Sequence, residues 1–126
     1  MAITTGMCTS FKEEILKAIH DFTSDTFKIA LYTNSASLGA STTAYTTSNE
    51  TSGTGYSAGG ATLTTVSPTT SGGVAYVDFN DVSFTSSTIT ARGALIYNSS
   101  KANRAVAVYD FGADQSSSNS TFTIQF

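Results

Sequence analysis

The sequence predicts a mainly β fold: a β-sandwich or jelly-roll-like domain of seven to eight strands with one N-terminal amphipathic helix. Charged residues make up only 12% of the chain. Ser and Thr take their place, which favours strands because Thr prefers β conformation whereas Lys and Glu do not. Short stretches of alternating apolar and polar residues recur between Gly, Ser and Asn turns. One apolar stripe at helical spacing lies near the N-terminus.

The chain has the length of a single domain, residues 1–126. A chain of this length buries about two thirds of its unfolded surface, so it can form a core without disulfides or metals. Residues 1–8 are a short mixed run, which we interpret as an extended arm. They lack the positive charge and the sustained apolar region of a signal peptide, and we therefore expect cytoplasmic synthesis.

Charge and composition argue against several classes of partner. The net charge is −3 and no basic cluster occurs, so the sequence has no electrostatic signature of nucleic-acid binding. No apolar run approaches the roughly 20 residues that span a bilayer. Cys8 is the only cysteine, which excludes an intrachain disulfide and a multi-cysteine zinc site. We predict no nucleic-acid partner, no membrane partner and no cofactor.

The helix is predicted over residues 10–22. Ser10 and Glu13 have the spacing of a capping box, in which each side chain bonds a free backbone N–H at the helix start. The stripe predicts that the helix packs across a sheet or closes one end of a sandwich. Its apolar residues are Phe11, Ile15, Leu16, Ala18, Ile19 and Phe22.

Strand patterns fill most of the remaining chain. Pro68 and the Gly72–Gly73 pair are expected to end one strand and turn the chain. Residues 34–49 and 112–120 are predicted loops, and the first is long enough to be an interaction loop. The predicted strands are 26–33, 61–66, 74–79, 82–84, 88–98, 104–111 and 121–126.

The segment from Glu50 to Leu63 holds four of the ten glycines, and Glu50 is the only charged residue between Lys28 and Asp78. A carboxylate isolated in a long neutral run needs a partner. The candidates are backbone N–H groups of the following glycine turns or the guanidinium of Arg92. We predict a fixed structural turn that places a tyrosine in the core. It consists of Glu50, Gly53, Gly55, Tyr56, Gly59 and Gly60.

Arg92 lies in the middle of an apolar strand. An unpaired buried charge is costly, so Arg92 should have a carboxylate partner. We predict an ion pair with Glu50, with Asp78 as the other candidate.

The chemical alternatives are weaker. Clustered oxygen ligands can hold calcium, but the spacing of the aspartates matches no calcium loop, and Asp is a common turn residue. These aspartates are Asp78, Asp81, Asp110 and Asp114. Glycoside hydrolysis needs two carboxylates, here Glu50 with Asp78 or Asp110. Nucleophilic catalysis needs a base such as His20 beside Cys8 or a serine. The spacing supports neither reaction, and we do not expect an enzyme.

Four segments together resemble a family of short virion structural proteins of tailed bacteriophages. They are Ser10–Leu16 with His20–Phe22, Lys28–Thr33, the Glu50–Leu63 glycine pattern, and Ala91–Tyr97. The resemblance covers about residues 10–126, and the Glu50–Leu63 pattern is its most specific part. It implies a non-enzymatic protein that decorates or cements the capsid. The alternative is a tail, neck or fibre component.

The resemblance also implies the partners and the location. The location is the virion. The partners are other virion proteins, such as the major capsid protein or the tail and neck proteins, and further copies of this chain in a homo-oligomer, by analogy a trimer. We expect contacts through residues 1–8, residues 34–49 or the last strand. Low charge suits such an assembly.

The rival hypothesis is a tail or fibre adhesin, or a carbohydrate-binding module, with exposed tyrosines. The candidates are Tyr45, Tyr56, Tyr97 and Tyr109, and the chain has no tryptophan. Buried tyrosines would favour the structural role.

Overall fold

The computed structural model describes residues 2–126, which form seven strands in two antiparallel sheets and one short N-terminal helix. This confirms the predicted mainly β fold class. In chain order the elements are β1 (Gly6–Met7), α1 (Thr9–Leu16), β2 (Phe27–Tyr32), β3 (Ala61–Thr62), β4 (Thr65–Ser71), β5 (Val74–Phe79), β6 (Val82–Asn98) and β7 (Arg104–Ile124).

The larger sheet has the order β1-β7-β6-β2-β3. Strand β2 is buried on both faces, since every residue except Lys28 is fully enclosed. It pairs with β6 from Phe27 opposite Asn98 to Tyr32 opposite Gly93. The sheet therefore has its most apolar strands at the centre, where the core lies on both sides.

Strands β6 and β7 form one long hairpin rather than the four shorter strands that the sequence predicts. The predicted loop over residues 112–120 is wrong, because this segment pairs with β6, for example Ser116 with Thr90. The hydroxyl groups of these two residues lie 2.8 Å apart. A run of Ser and Asn lacks the apolar alternation of a buried strand, yet its hydroxyls pair across the ladder.

The β6–β7 hairpin bends back on itself. Phe111 and Phe122 belong to the same strand, and an extended strand would place them about 35 Å apart. Their ring centroids are instead 6.4 Å apart. The pairing shifts register between Ala91 and Gly93 and twice more towards the start of β6, and such irregularities bend strands. The two halves of the hairpin therefore enclose part of the core between them.

The second sheet is the β4–β5 hairpin. Its turn is the predicted Gly72–Gly73 pair, with φ values of +57° and +82°. Pro68 does not end the strand as predicted. It lies at the irregularity between Val66 and Thr69, where a residue without a backbone N–H is tolerated.

Helix α1 ends at Leu16, so the prediction of a helix to residue 22 is wrong. Ala18 adopts a left-handed conformation with φ +57°. The Ile19 and Ala18 N–H groups bond back to Glu14 and Ile15, which is the Schellman pattern that terminates helices. The predicted capping box is also absent, because Cys8 is the N-cap and makes no side-chain cap bond. Leu16, placed on the buried stripe by the sequence, is 88% exposed.

The segments near both ends of the described residues pack on the domain itself. The described part of the predicted arm, residues 2–8, bridges Ile3 to Leu38 and pairs β1 with β7, and Cys8 is fully buried. The last predicted strand is the end of β7, and Phe126 packs against Phe79. Residues 34–49 cross the surface without a regular strand. Among residues 2–126, no helix has the length and apolar character needed to cross a bilayer.

Candidate functional site

The Glu50 carboxylate is held by three donors, one from the preceding 34–49 segment and two from the glycine turn. Its Oε1 accepts the hydroxyl of Tyr45 over 2.7 Å. Its Oε2 accepts the hydroxyl of Tyr56 over 2.6 Å and the backbone N–H of Gly59 over 2.8 Å. Of the two kinds of partner considered for Glu50, the structure shows the backbone N–H of a glycine turn.

The same cluster is tied to the central strands. The Tyr56 hydroxyl accepts the N–H of Leu31 in β2 over 2.9 Å. The Tyr97 hydroxyl, from β6, donates to the Gly59 carbonyl over 2.6 Å, and the Tyr97 ring stacks on Tyr45 at 4.7 Å. The turn is thereby fixed to β2 and β6 through side chains as well as backbone.

The glycines allow this close approach. Gly60 has φ +79°, and a Cβ at this position would overlap the carbonyl oxygen of Ile29 in β2. Gly55 has φ +84° and lies against the backbone of Ser87 in β6. Only glycine combines positive φ with such contacts at low cost. The turn formed by Glu50, Gly53, Gly55, Tyr56, Gly59 and Gly60 therefore packs closely against β2 and β6.

Burial and the Glu50 carboxylate change the acidity of the tyrosines. Burial, followed by the hydrogen bond to Glu50, raises the pKa of both Tyr45 and Tyr56 well above the ordinary value. Burial also raises the pKa of Tyr32, whose hydroxyl donates to the Thr46 carbonyl over 2.6 Å. These hydroxyls therefore stay protonated and donate the hydrogen bonds that hold the Glu50 carboxylate and the Thr46 carbonyl in place.

Arg92 pairs with Asp110, so the predicted Glu50–Arg92 ion pair is wrong. The Arg92 Nε donates to the Asp110 carboxylate over 2.9 Å. Strand β2 separates Glu50 from β6, because Tyr32 bridges to Glu50 and also pairs with Gly93. Asp110 lies on neighbouring β7, opposite Gly93. Hydrogen bonds from the Gly112 N–H and from Arg92 lower the pKa of Asp110.

A second polar cluster, which the sequence did not predict, surrounds His20. Its Nε2 lies 2.8 Å from Glu14 and its Nδ1 lies 3.0 Å from the amide nitrogen of Asn98. The amide can only donate, so Nδ1 accepts and Nε2 donates to Glu14. The His20 side chain is fully buried.

Charged residues at the edge of this cluster complete it. Arg104 donates to the second oxygen of Glu14 over 2.7 Å. Asn98 donates to Asp25, and Lys101 donates to the other oxygen of Asp25 over 2.7 Å. Although burial opposes the change, bonds from Lys101 and Asn98 lower the pKa of Asp25 to about 2. Bonds from His20 and Arg104 likewise outweigh burial and lower the pKa of Glu14.

The remaining candidate residues are not brought together. Asp78 and Asp81 each accept a nearby backbone N–H, and Asp114 accepts the Asn34 amide. Within residues 2–126, no group of three or more His, Cys, Asp or Glu side chains is arranged to hold a metal ion. The Cys8 thiol lies 3.9 Å from the Gly39 carbonyl, and its burial raises its pKa.

The four tyrosines proposed for sugar binding do not form an exposed row. Tyr97 is buried, and Tyr45 and Tyr56 pack partly buried against the core. Of the four, only Tyr109 is exposed, at 38%.

Comparisons of the chain with protein-family models, with curated proteins and with solved structures gave no match.

Proposed function

We propose that this protein is a non-enzymatic structural component of a tailed-bacteriophage virion. It decorates or cements the capsid through repeated contacts with the major capsid protein. Synthesis takes place in the host cytoplasm, and the protein then becomes part of the particle. The resemblance of the four sequence segments supports membership of the virion protein family. The hydrogen bonds between Glu50 and the tyrosines within the domain support a structural role.

The observation that carries this proposal is the inward orientation of the tyrosine hydroxyls. Tyr45 and Tyr56 bind the Glu50 carboxylate, and Tyr97 binds the Gly59 carbonyl. A sugar-binding site needs aromatic faces and polar groups directed at the ligand. Here the same groups hold the turn on the sheet, which favours a structural protein over an adhesin.

Residues 34–49 are the segment that we assign to the capsid contact. The other two candidates, the arm and the last strand, pack on the domain itself. Most of residues 34–49 are exposed, while Ala36 and Leu38 anchor the segment in the core. The segment has no charged residue. Weak contacts of such a surface gain strength when many copies bind one lattice.

The proposal is tested by the heat stability of particles with and without the protein. Particles that lack it should rupture at a lower temperature, and addition of the purified protein should restore the rupture temperature. A Ser37→Asp/Ser41→Asp variant, changed in the exposed loop, should fail to restore it. A Ser83→Asp/Thr85→Asp variant, changed on exposed positions of β6, is the matched control and should restore it. Equal rupture temperatures with and without the protein would contradict the cementing role.

A further inference from the structure

The β4–β5 hairpin has apolar residues on both of its faces. Val77 and Phe79 line a groove of about 320 Å³ against α1 and the larger sheet, so this face is turned towards the core. Val74 and Tyr76 alternate with them and therefore point away from the core. These two residues are 61% and 50% exposed. Val66, which pairs with Asp78 on the same outer face, is 44% exposed.

The hairpin is also a sheet of only two strands. In the structure of residues 2–126, neither β4 nor β5 pairs with any other strand. Two-stranded hairpins are marginally stable in water, and a third strand or a packed face is needed for independent stability. Only part of one face is packed here, so the hairpin would gain from added strands.

The two free edges of the hairpin differ in their protection. Strand β4 contains Pro68 and a register irregularity, which are the features that prevent edge-to-edge pairing. Strand β5, Val74–Phe79, has neither and pairs in regular register from Val74 to Tyr76. Its sequence is β-prone, without Pro, Gly or Lys, and its only charge is Asp78 near one end. Such a segment at an exposed edge readily adds a further strand.

We propose that the β5 edge pairs antiparallel with the β5 edge of a second copy of this chain, which makes a four-stranded sheet across a two-fold axis. A self-paired edge suits the charge distribution. With the axis near Tyr76, Val74 of one copy lies opposite Asp78 of the other. The two Asp78 carboxylates are then about 13 Å apart along the strands. The outer faces of the two hairpins join into one surface that carries the apolar side chains of Val66, Val74 and Tyr76 from both copies.

This inference goes beyond the virion role and does not depend on it. A six-residue edge with one apolar face is a small interface, so we expect a dissociation constant of about 10–100 μM. The predicted trimer is a different contact, because a two-fold edge pairing closes at two copies.

Sedimentation equilibrium of the full chain tests the contact. The mass should rise from one chain to two with concentration. Tyr76→Lys places like charges opposite each other across the axis and should weaken the dimer at least tenfold. Thr69→Lys changes the cross-strand neighbour of Tyr76 on β4 and should leave the dissociation constant within about threefold, since it lies one strand away from the contact. Circular dichroism checks that both variants fold.

Disulfide trapping provides a second readout. Residues directly opposite in an antiparallel pair have Cα atoms about 4.5–5.5 Å apart, which permits a disulfide. Tyr76→Cys should form a covalent dimer on mild oxidation, whereas Thr69→Cys should not, and the buried Cys8 should not react. A single-chain mass at about 1 mM, a mass of three chains, equal weakening by the two lysine variants, or equal crosslinking of the two cysteine variants would each overturn the proposal.

Discussion

The Glu50 cluster and the His20 cluster both hold a carboxylate inside the domain, but they draw its partners from different parts of the chain. In both, several donors hold a carboxylate, which is buried at Glu14 and partly buried at Glu50. Glu50 obtains its partners from Tyr45, Tyr56 and Gly59, all within nine residues. Glu14 obtains one partner from His20 and the other from Arg104, 90 residues away. The first cluster shapes a local turn, whereas the second connects the helix to the β6–β7 turn.

Substitution of Gly60 should have the largest effect. Gly60→Ala adds a methyl group against the Ile29 carbonyl at a positive φ and should cost about 3 kcal/mol or more. Gly72→Ala is the matched control, because Gly72 also has positive φ but has open space around its Cβ. We expect about 1 kcal/mol for this variant. Urea unfolding measures both, and equal losses would contradict the close approach of the turn to β2.

Removal of the two carboxylates compares the clusters directly. Glu50→Ala leaves two tyrosine hydroxyls and the Gly59 N–H without an acceptor and should cost about 3 kcal/mol. Glu14→Ala should cost about 2 kcal/mol, because the Arg104 side chain is 42% exposed and water can replace its partner.

The neighbouring Glu13 supplies the control for Glu14. It forms only an exposed ion pair with Lys17, so Glu13→Ala should change the free energy of unfolding by no more than about 0.5 kcal/mol. A Glu14 variant as stable as the Glu13 variant would show that the second cluster does not hold the helix.

The alkaline limb of the stability profile should report the Glu50 cluster. The pKa of Tyr56 is raised from its ordinary value of 10 in the folded state, so above pH 10 the unfolded chain loses this proton first. The stabilisation is complete below pH 10 and decreases as the pH rises above it. Tyr56→Phe should therefore flatten the decrease above pH 10. An unchanged slope in the Tyr56→Phe variant would contradict the burial of the Tyr56 hydroxyl against Glu50.

The acid limb should report the His20 cluster. The pKa of Asp25 falls from 3.8 to about 2 on folding, so the unfolded chain binds this proton first as the pH falls. The stabilisation is complete above about pH 4 and is lost between pH 4 and pH 2. Asp25→Asn should flatten this part of the profile. An unchanged acid limb would mean that Asp25 is not bonded to Lys101 and Asn98 in solution.

This comparison explains what the sequence could predict. The Glu50 turn was predictable because its signals are local: four glycines close together and one charge in a neutral run. The partner of Arg92 depended on the order of the strands in the sheet. This order places Asp110 on the strand next to Arg92, and it places β2 between Glu50 and β6. The His20 cluster joins residues more than 70 positions apart, and no spacing rule connects them. The one available signal was Glu14, which follows Phe11 by three residues on the buried side of the helix.

For the strands, too, the sequence predicted local patterns but not the contacts that depend on pairing with distant residues. Alternation of apolar residues identified β2, which is almost entirely buried, and β5, of which only Phe79 is buried and Val77 partly buried. It failed for the Ser-rich part of β7, where cross-strand hydroxyl pairs such as Ser116 with Thr90 replace apolar contacts. The helix was predicted too long because Ala18 adopts the left-handed conformation that usually marks a glycine.

Cryo-electron microscopy of particles made with and without this protein tests the central claim most directly. We predict density for the domain at repeated positions across the capsid lattice, with residues 34–49 facing the shell. Particles made without the protein should lack this density. Density confined to the neck or tail would contradict capsid cementing and favour attachment there, and absence from purified particles would contradict the virion role altogether.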